Sequence, residues 1–373
     1  MDSSRPAAAL LDQVGADRVV GRDRVAAASV RPVSSLRPIS GTTPEVVEAL
    51  RSWLADPREP APVVIETSGS TGAPKRVVLS RRAVLASVAA TTARLGAEGR
   101  WLLALPASYV AGLMVVVRSL VAGHDPVPVT GSLAGTVREA RGVTGLAFTS
   151  LVPTQLLRML ADPAETAALA GLHTVLLGGG PVDPLLRARA EASGVRVVAT
   201  YGASETSGGC VYDGRPLDGV GVRLGPAGRI EVAGPMLFDR YDGDPALTAG
   251  TLVDGWFLTS DAGRFGEDGR LEVLGRLDDV VVSGGVNVPA SAVAARLREH
   301  PSVQAVEVVG VADPEWGQRV VAVVVGVLTE AEARDWVAAV HPRSWAPRQV
   351  IRVTALPMLD TGKVDRLRLQ ELA

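Results

Sequence analysis

The chain has 373 residues, of which 47% are hydrophobic and 21% charged, and its formal net charge is −2 at pH 7. This length predicts two domains, and a near-neutral charge without a long basic block predicts no nucleic-acid partner. The only cysteine, Cys210, excludes an internal disulfide, and with four scattered histidines it cannot build a soft-metal cluster. We therefore expect a soluble cytoplasmic protein without integral membrane contact. Any metal should be oxygen-bound, as Mg²⁺ is when it accompanies nucleotide phosphates.

A loop at residues 66–76, rich in hydroxyl groups and glycine, is the first feature that indicates chemistry. Residues 1–40 lack a regular hydrophobic period. A helix is predicted up to Ala55 with Thr43 as its cap, and apolar strands at 63–65 and 77–79 flank the loop. Glycines let backbone N–H groups approach an anion and hydroxyls add donors, so the loop suits phosphate. An ordinary polar turn is the alternative. A Walker loop is excluded, because Pro74 and a strand follow where that motif needs a helix.

From residue 80 onwards, apolar strands alternate with helices. A helix is predicted after Ser80, followed by strands at 102–105, 127–129, 145–148, 175–177 and 195–199 and by helices at 113–121, 153–160 and 184–192. This alternation predicts a parallel sheet covered on both faces, with ligands beyond the carboxyl ends of its strands. Two glycine-rich loops, 178–181 and 200–209, follow such ends. A tight turn is the alternative for each, but it would not explain the tyrosine, glutamate and hydroxyls of the second loop.

The pattern changes after residue 214. Short alternating strands with Gly and Pro turns predict a small antiparallel β-unit up to residue 274, in which Asp261 is equally compatible with a simple turn. We predict a boundary at 275–279, between a large N-terminal domain, 1–277, and a small α+β C-terminal domain, 278–373. The predicted fold class is α/β: a large domain of α/β layers with a parallel-rich sheet and the antiparallel unit, followed by the small domain.

Five motifs, taken in chain order, resemble a known family. They are Thr67-Ser68-Gly69-Ser70-Thr71-Gly72-Ala73-Pro74-Lys75, Tyr201-Gly202-Ala203-Ser204-Glu205-Thr206, Thr259-Ser260-Asp261, Gly275-Arg276-Leu277-Asp278-Asp279 and Gly362-Lys363-Val364-Asp365-Arg366. They resemble the core motifs of the adenylate-forming superfamily, which includes acyl-CoA synthetases, peptide-synthetase adenylation domains and luciferases. The resemblance covers about residue 63 to the C-terminus. It implies an enzyme that uses ATP and Mg²⁺ to join a small carboxylic acid to AMP and then transfers the acyl group to the thiol of coenzyme A.

The resemblance also implies roles for individual residues. The ATP phosphates would be held by Thr67, Ser68, Gly69, Ser70, Thr71, Gly72 and Lys75, and Mg²⁺ by Glu205. Adenine would lie between Tyr201 and the wall of Gly179, Gly180 and Pro181, beside Gly202, Ala203 and Ser204, and the ribose would bind Asp261 and Arg276. Lys363 would promote adenylation, with Thr71 and Glu205 as further catalytic residues; a solvated lysine is the disfavoured alternative. The small domain would be mobile, swinging about a hinge at Asp278 and presenting Ser283, Gly284 and Gly285 to coenzyme A.

The acid substrate is indicated by the runs 150–156, 176–180 and 201–214. They resemble the short actinobacterial form of the o-succinylbenzoate–CoA ligase family of menaquinone biosynthesis, and substrate contacts are then predicted at Tyr109, Ser150, Thr154, Ser207, Gly208 and Gly209. Tyr109 stands where many relatives carry histidine, so it cannot take a role that needs a protonated imidazole, and simple packing is an equal alternative to a substrate contact. Another aryl-acid ligase, a carrier-loading adenylating enzyme and, more remotely, a nucleotide-binding pseudoenzyme stay open. Relatives of this kind are often dimers, which leaves a homodimer open.

Overall fold

The computed structural model describes residues 39–67, 74–139, 145–358 and 364–373. The chain divides into a first unit, Met1–Gly221 with Val232–Phe257, and a second unit, Val222–Glu231 with Leu258–Ala373. The predicted domain boundary after residue 277 and the hinge at Asp278, which lies in a short 3₁₀ turn at Leu277–Asp279, stay predictions. Within the described ranges, no helix is both long and apolar enough to cross a bilayer.

The helices and strands alternate along most of the chain. The helices are α1 (Thr43–Ala55), α2 (Arg81–Leu95), α3 (Val110–Val121), α4 (Leu133–Glu139), α5 (Pro153–Met159), α6 (Pro163–Ala170), α7 (Pro184–Ala192), α8 (Pro245–Thr251), α9 (Ala290–Arg298), α10 (Glu330–Ala338) and α11 (Arg366–Leu372). The strands are β1 (Val63–Thr67), β2 (Lys75–Leu79), β3 (Arg100–Leu103), β4 (Val127–Pro128), β5 (Ala147–Leu151), β6 (Thr174–Leu177), β7 (Val197–Ala203), β8 (Gly208–Tyr212), β9 (Arg215–Pro216), β10 (Gly221–Leu224), β11 (Arg229–Ala233), β12 (Arg240–Tyr241), β13 (Leu252–Val253), β14 (Trp256–Phe265), β15 (Leu271–Arg276), β16 (Val280–Ser283), β17 (Val286–Pro289), β18 (Val303–Asp313), β19 (Gly317–Gly326) and β20 (Gln349–Arg352).

Side-chain caps set where several helices begin. The Thr42 N–H and hydroxyl both donate to the Glu45 carboxylate, at 2.7 and 2.8 Å, so the cap of α1 is Thr42 and not the predicted Thr43. The Asp162 and Asp183 carboxylates accept backbone N–H groups at the starts of α6 and α7, where a proline occupies the first helical position.

The main sheet of the first unit has the strand order β4-β3-β5-β6-β7-β8-β9. Its first five strands pair in parallel, and β8 and β9 continue it antiparallel. Along β6, Leu176 faces a core shared with α1, α2 and α3, whereas Val175 and Leu177 face a second core shared with α5, α6 and α7. This alternation explains why β6 is buried along its whole length, and it confirms the predicted parallel sheet covered on both faces.

A smaller antiparallel sheet, β1-β2-β12, completes the first unit. Strands β1 and β2 confirm the apolar strands predicted on either side of the hydroxyl-rich loop. Strand β12 pairs Arg240 with Val78 and Tyr241 with Val77. This pairing has no local sequence signal, since β12 is two residues long and lies far from β2 in the chain. It nonetheless decides where the Tyr241 side chain lies.

The second unit is built around the antiparallel pair β18 and β19, with β20 parallel to β19. Residues of β19 alternate between its faces: Val320, Ala322 and Val324 join a core with α9 and α10, while Val321 and Val323 pack with α11. Strands β14 and β15 form an antiparallel hairpin in the same unit. The predicted α+β character of this part of the chain is therefore confirmed.

Candidate active site

The carboxyl ends of β5, β6 and β7 meet at one edge of the main sheet. Leu151 pairs with Leu177, and Leu177 pairs with Ala199, so the segments that follow these strands are neighbours. Three of the predicted sets of site residues lie at these strand ends. Ser150 and Thr154 lie around the end of β5, Gly179, Gly180 and Pro181 follow β6, and Tyr201 to Glu205 lie at and after the end of β7. In open parallel sheets this edge is where ligands bind.

The glycine run after β6 lies close to the elements on either side of it. A Cβ on Gly178 would lie 2.5 Å from the Thr200 Oγ1, so a side chain there would push against the Thr200 side chain on β7. Gly179 has a positive φ of +78°, and a Cβ on it would approach Val152 Cγ1 to 3.2 Å. These residues therefore form a thin wall without side chains, as expected for a surface that receives a flat ring.

The second predicted loop, 200–209, is a strand, a turn and a second strand instead of an irregular loop. Strand β7 continues through Tyr201 to Ala203, a 3₁₀ turn carries Glu205, and β8 returns antiparallel from Gly208. The Thr206 hydroxyl fixes this turn, because it accepts the Ala203 N–H at 2.8 Å and donates to the Gly208 carbonyl at 2.6 Å. A rigid turn thus holds the Glu205 side chain at the edge of the sheet.

Gly202 allows the two strands of this hairpin to approach each other. A Cβ at Gly202 would lie 2.1 Å from the Gly208 carbonyl oxygen and 2.7 Å from Gly209 Cα. We expect Gly202→Ala to lower the free energy of unfolding by about 3 kcal/mol or more, because backbone atoms must move. The matched control is Gly250→Ala in α8, where a Cβ meets nothing within 4 Å; it should stabilise by about 0.4–1 kcal/mol. Chemical denaturation measures both, and equal effects would refute this steric assignment.

The Glu205 carboxylate is buried and anchored on one side. Only 9% of the residue is exposed, its Oε1 accepts the Tyr241 phenol at 2.7 Å, and its backbone carbonyl accepts the Phe238 N–H at 2.8 Å. Burial, followed by the adjacent Glu205 charge, raises the pKa of the Tyr241 phenol far above its usual value. Within the described part of the chain, Glu205 takes part in no salt bridge. A buried carboxylate of this kind fits a hard cation such as Mg²⁺.

Thr67 and Lys75 lie opposite each other at the loop end of the β1–β2 hairpin. The Thr67 hydroxyl donates to the Lys75 carbonyl at 3.4 Å, and the Lys75 ammonium lies 5.7 Å from the centroid of the Tyr241 ring. The structure therefore brings Lys75 and Glu205 to the same tyrosine. Ser68, Gly69, Ser70, Thr71 and Gly72, the predicted phosphate-binding residues between β1 and β2, lie outside the described residues.

The predicted substrate contacts differ in exposure. Tyr109 is 38% exposed at the start of α3, whereas Ser150 and Ser207 are buried. The Ser207 hydroxyl donates to the Met236 carbonyl at 2.8 Å, and its backbone carbonyl accepts the Ser87 hydroxyl at 2.9 Å, which ties the Glu205 turn to α2. The Thr154 hydroxyl is buried and has no hydrogen-bond partner among the described residues. The roles of these residues in substrate binding stay predictions, as do those of Gly208 and Gly209.

In the second unit, Asp261 and Arg276 lie opposite each other on β14 and β15. Thr259 and Asp261 both lie within β14, so the alternative of a simple turn at Asp261 is wrong. The Thr259 Oγ1 fixes this part of the strand, because it accepts the Asp261 N–H at 3.1 Å and donates to the Ile230 carbonyl at 2.7 Å. Opposed positions on paired strands can act on one ligand, although ribose binding by them stays a prediction.

The predicted coenzyme A segment of the same unit begins at Ser283, which is buried. Gly284 and Gly285 have φ values of +58° and +77°, and a Cβ on Gly284 would lie 2.7 Å from the Trp316 ring. Positions 284 and 285 of this turn therefore favour glycine over any residue with a side chain. Lys363 lies outside the described residues, and the bridge between Met358 and Val364 flanks its segment.

Cys210 lies on β8, close to the Glu205 turn, and is fully buried. Burial raises the pKa of its thiol from 9.0 to about 12. Below pH 9 the folded and unfolded states both keep the proton, but between pH 9 and 12 only the folded state does. The free energy of unfolding should therefore fall as pH rises through this window, by up to about 1.4 kcal/mol per unit. Cys210→Ala should have a shallower pH dependence above pH 9; identical slopes for the two proteins would contradict the assignment.

The comparisons with known proteins agree with the α/β fold described above. The sequence matches the family described as AMP-binding enzyme over residues 5–245, and the AMP-binding enzyme C-terminal domain over residues 292–363. The chain belongs to the AMP-binding enzyme family. These matches confirm the predicted superfamily and enzyme class. They also confirm the predicted fold class, in which a large N-terminal domain precedes a smaller C-terminal domain.

Within this family, the chain is similar to individual enzymes that are named for one acid substrate. The chain is 45% identical over 319 residues to a probable 2-succinylbenzoate–CoA ligase of Mycobacterium tuberculosis, covering 82% of this chain and 83% of the relative. It is also similar to the o-succinylbenzoate CoA synthetase MenE of Bacillus subtilis solved with its acyl-adenylate intermediate, at 26% identity and a TM-score of 0.72, covering 83% of this chain and 68% of that one. The same synthetase solved with ATP and a magnesium ion gives 26% identity and a TM-score of 0.71, covering 82% and 69%.

Proposed function

We propose that this chain is an ATP-dependent 2-succinylbenzoate–CoA ligase, which converts 2-succinylbenzoate, ATP and coenzyme A into 2-succinylbenzoyl-CoA, AMP and pyrophosphate. The buried, anchored Glu205 carboxylate beside the carboxyl ends of the parallel strands carries the proposal of a metal–nucleotide site. The choice of acid rests on the 45% identity to the mycobacterial relative. The predicted cytoplasmic location and homodimer stay predictions, of which the first is supported by the single cysteine.

The chemical problem is the approach of one anion to another. A substrate carboxylate oxygen attacks the α-phosphorus of ATP, the bond to pyrophosphate breaks, and the acyl-adenylate forms. Catalysis then consists of positioning and of cancelling negative charge, so no protein nucleophile is required. Mg²⁺, when bound by Glu205, would neutralise phosphate charge. Lys75 supplies a cation at the end of the loop that is proposed to hold the β- and γ-phosphates.

The nucleotide would be recognised by shape and by hydrogen bonds. The glycine wall at Gly179 and Gly180 leaves room for the adenine ring, and Tyr201 would supply an aromatic face. Asp261 would accept hydrogen bonds from the ribose hydroxyls, with Arg276 in support. Lys363 would contact the α-phosphate and the attacking carboxylate.

In the second half-reaction, the thiol of coenzyme A attacks the carbonyl carbon of the acyl-adenylate, and AMP leaves. Ser283, Gly284 and Gly285 would border the path of the narrow pantetheine arm, since the glycines present no side chains. One domain would serve both half-reactions by turning about Asp278. This use of the C-terminal domain rests on the family resemblance.

The test is product analysis with purified protein, ATP, Mg²⁺, coenzyme A and a panel of aryl and alkyl acids. We expect 2-succinylbenzoate to give the thioester, AMP and pyrophosphate in equal amounts, and benzoate or succinate to give far less. Adenylation without consumption of coenzyme A would favour a carrier-loading enzyme. Turnover with another aryl acid in preference to 2-succinylbenzoate would overturn the substrate assignment.

A further inference from the structure

We propose that Tyr241 is a positioning residue for the metal-binding carboxylate of Glu205. The inference rests on the proposed function, because it assumes that Glu205 holds Mg²⁺ with ATP. The two residues are 36 positions apart and belong to different elements, the 3₁₀ turn after β7 and strand β12. No motif of the sequence connects them.

The direction of the hydrogen bond follows from the chemistry of the two groups. An ionised carboxylate can only accept, so the Tyr241 phenol donates its proton to Glu205 Oε1, at 2.7 Å. With Oε1 held in this way, rotation of the carboxyl group is restricted, and Oε2 is left for a cation. Partners of this kind orient metal ligands in proteins.

The surroundings of Tyr241 show why it can hold a position. The residue is only 3% exposed, and its ring packs against Phe238 with centroids 4.8 Å apart. The Lys75 ammonium lies over the ring at 5.7 Å from its centroid. The phenol thus makes the contact with Glu205, whereas the ring makes the contacts with Phe238 and Lys75. These two functions can be separated by substitution.

Tyr241→Phe removes the hydroxyl and keeps the ring. We expect it to weaken metal binding in the presence of ATP roughly tenfold, measured by electron paramagnetic resonance with Mn²⁺ and without acid or coenzyme A. ATP binding in EDTA should not change. The matched control is Tyr212→Phe, which removes a buried phenol that hydrogen-bonds Thr91 at 3.1 Å and should leave Mn²⁺ affinity at the wild-type value.

A double-mutant cycle separates positioning from a general structural effect. In a Glu205→Gln background, Tyr241→Phe should cause no further loss of Mn²⁺ affinity, since the carboxylate that it positions is absent. Unchanged Mn²⁺ affinity in Tyr241→Phe, with a weakened Glu205→Gln, would overturn the inference alone. Unchanged affinity in Glu205→Gln would instead overturn the metal assignment on which it rests. Equal losses of Mn²⁺ affinity from Tyr241→Phe with and without the Glu205 carboxylate would also overturn the inference, because the phenol would then act independently of Glu205.

Discussion

Replacing Lys363 by alanine should slow adenylation on the order of 10³-fold, while the reaction of preformed acyl-adenylate with coenzyme A keeps most of its rate. The first half-reaction brings a carboxylate against a phosphate, so it needs a positive charge between them. The second half-reaction has a neutral carbonyl carbon as its electrophile and needs that charge less. Single-turnover measurements of the two half-reactions give both values. An equal loss in both would contradict a role confined to adenylation.

Two control variants sharpen this prediction. Arg343→Ala removes a surface cation of the second unit that pairs with Asp335 at 3.4 Å, and it should leave both rates unchanged. Lys363→Arg keeps the charge but changes its geometry, and it should restore part of the adenylation rate. Lys75 and Lys363 are the only lysines in the sequence, whereas arginine is abundant. Both lysines fall in the family motifs. This distribution supports a specific use of the compact ammonium group.

Replacing Glu205 by glutamine should lower the adenylation rate by roughly 10²-fold or more and raise the Mg²⁺ concentration needed for half-maximal rate. The amide has the shape of the carboxylate, and its oxygen can still accept the Tyr241 phenol, so the fold should be retained. What is lost is the negative charge that would hold the cation. Titration of the ATP–pyrophosphate exchange rate with Mg²⁺ measures the effect.

Glu165 provides the matched control for this variant. It is also 9% exposed, but its carboxylate accepts the Leu133 and Ala134 N–H groups, at 3.2 and 3.0 Å, at the start of α4. Glu165→Gln should therefore lower the free energy of unfolding by about 1–3 kcal/mol and leave the Mg²⁺ dependence unchanged. If both variants changed the Mg²⁺ dependence equally, Glu205 would have no special relation to the metal.

The sequence predicts the parallel strands of the first unit because each one contains a short apolar run. It predicts less well where structure depends on distant partners. The sequence does not predict α4 and α6, because α4 contains Gly135 and α6 is rich in alanine, so neither has a clear apolar stripe. The extension of β7 to Ala203 depends on the close approach of Gly202 and Gly208, which a single segment does not reveal.

In the candidate site, too, the sequence predicts residues that lie in contiguous motifs and does not predict a contact between distant segments. Glu205, Lys75 and the glycine wall could be predicted, because motifs contiguous in the chain contain them. Tyr241 could not, because its contact with Glu205 requires the pairing of β12 with β2. This pairing is long-range, and two residues of strand give no pattern from which to infer it.

The central claim is that the carboxylate is activated as an acyl-adenylate, and transfer of isotope tests it most directly. The measurement uses 2-succinylbenzoate labelled with ¹⁸O in its carboxylates, with ATP, Mg²⁺ and coenzyme A, and analyses the AMP by mass spectrometry. The account predicts one ¹⁸O in each AMP, because the attacking carboxylate oxygen stays on phosphorus when the thiol displaces AMP. Unlabelled AMP, or ADP as the product, would contradict it.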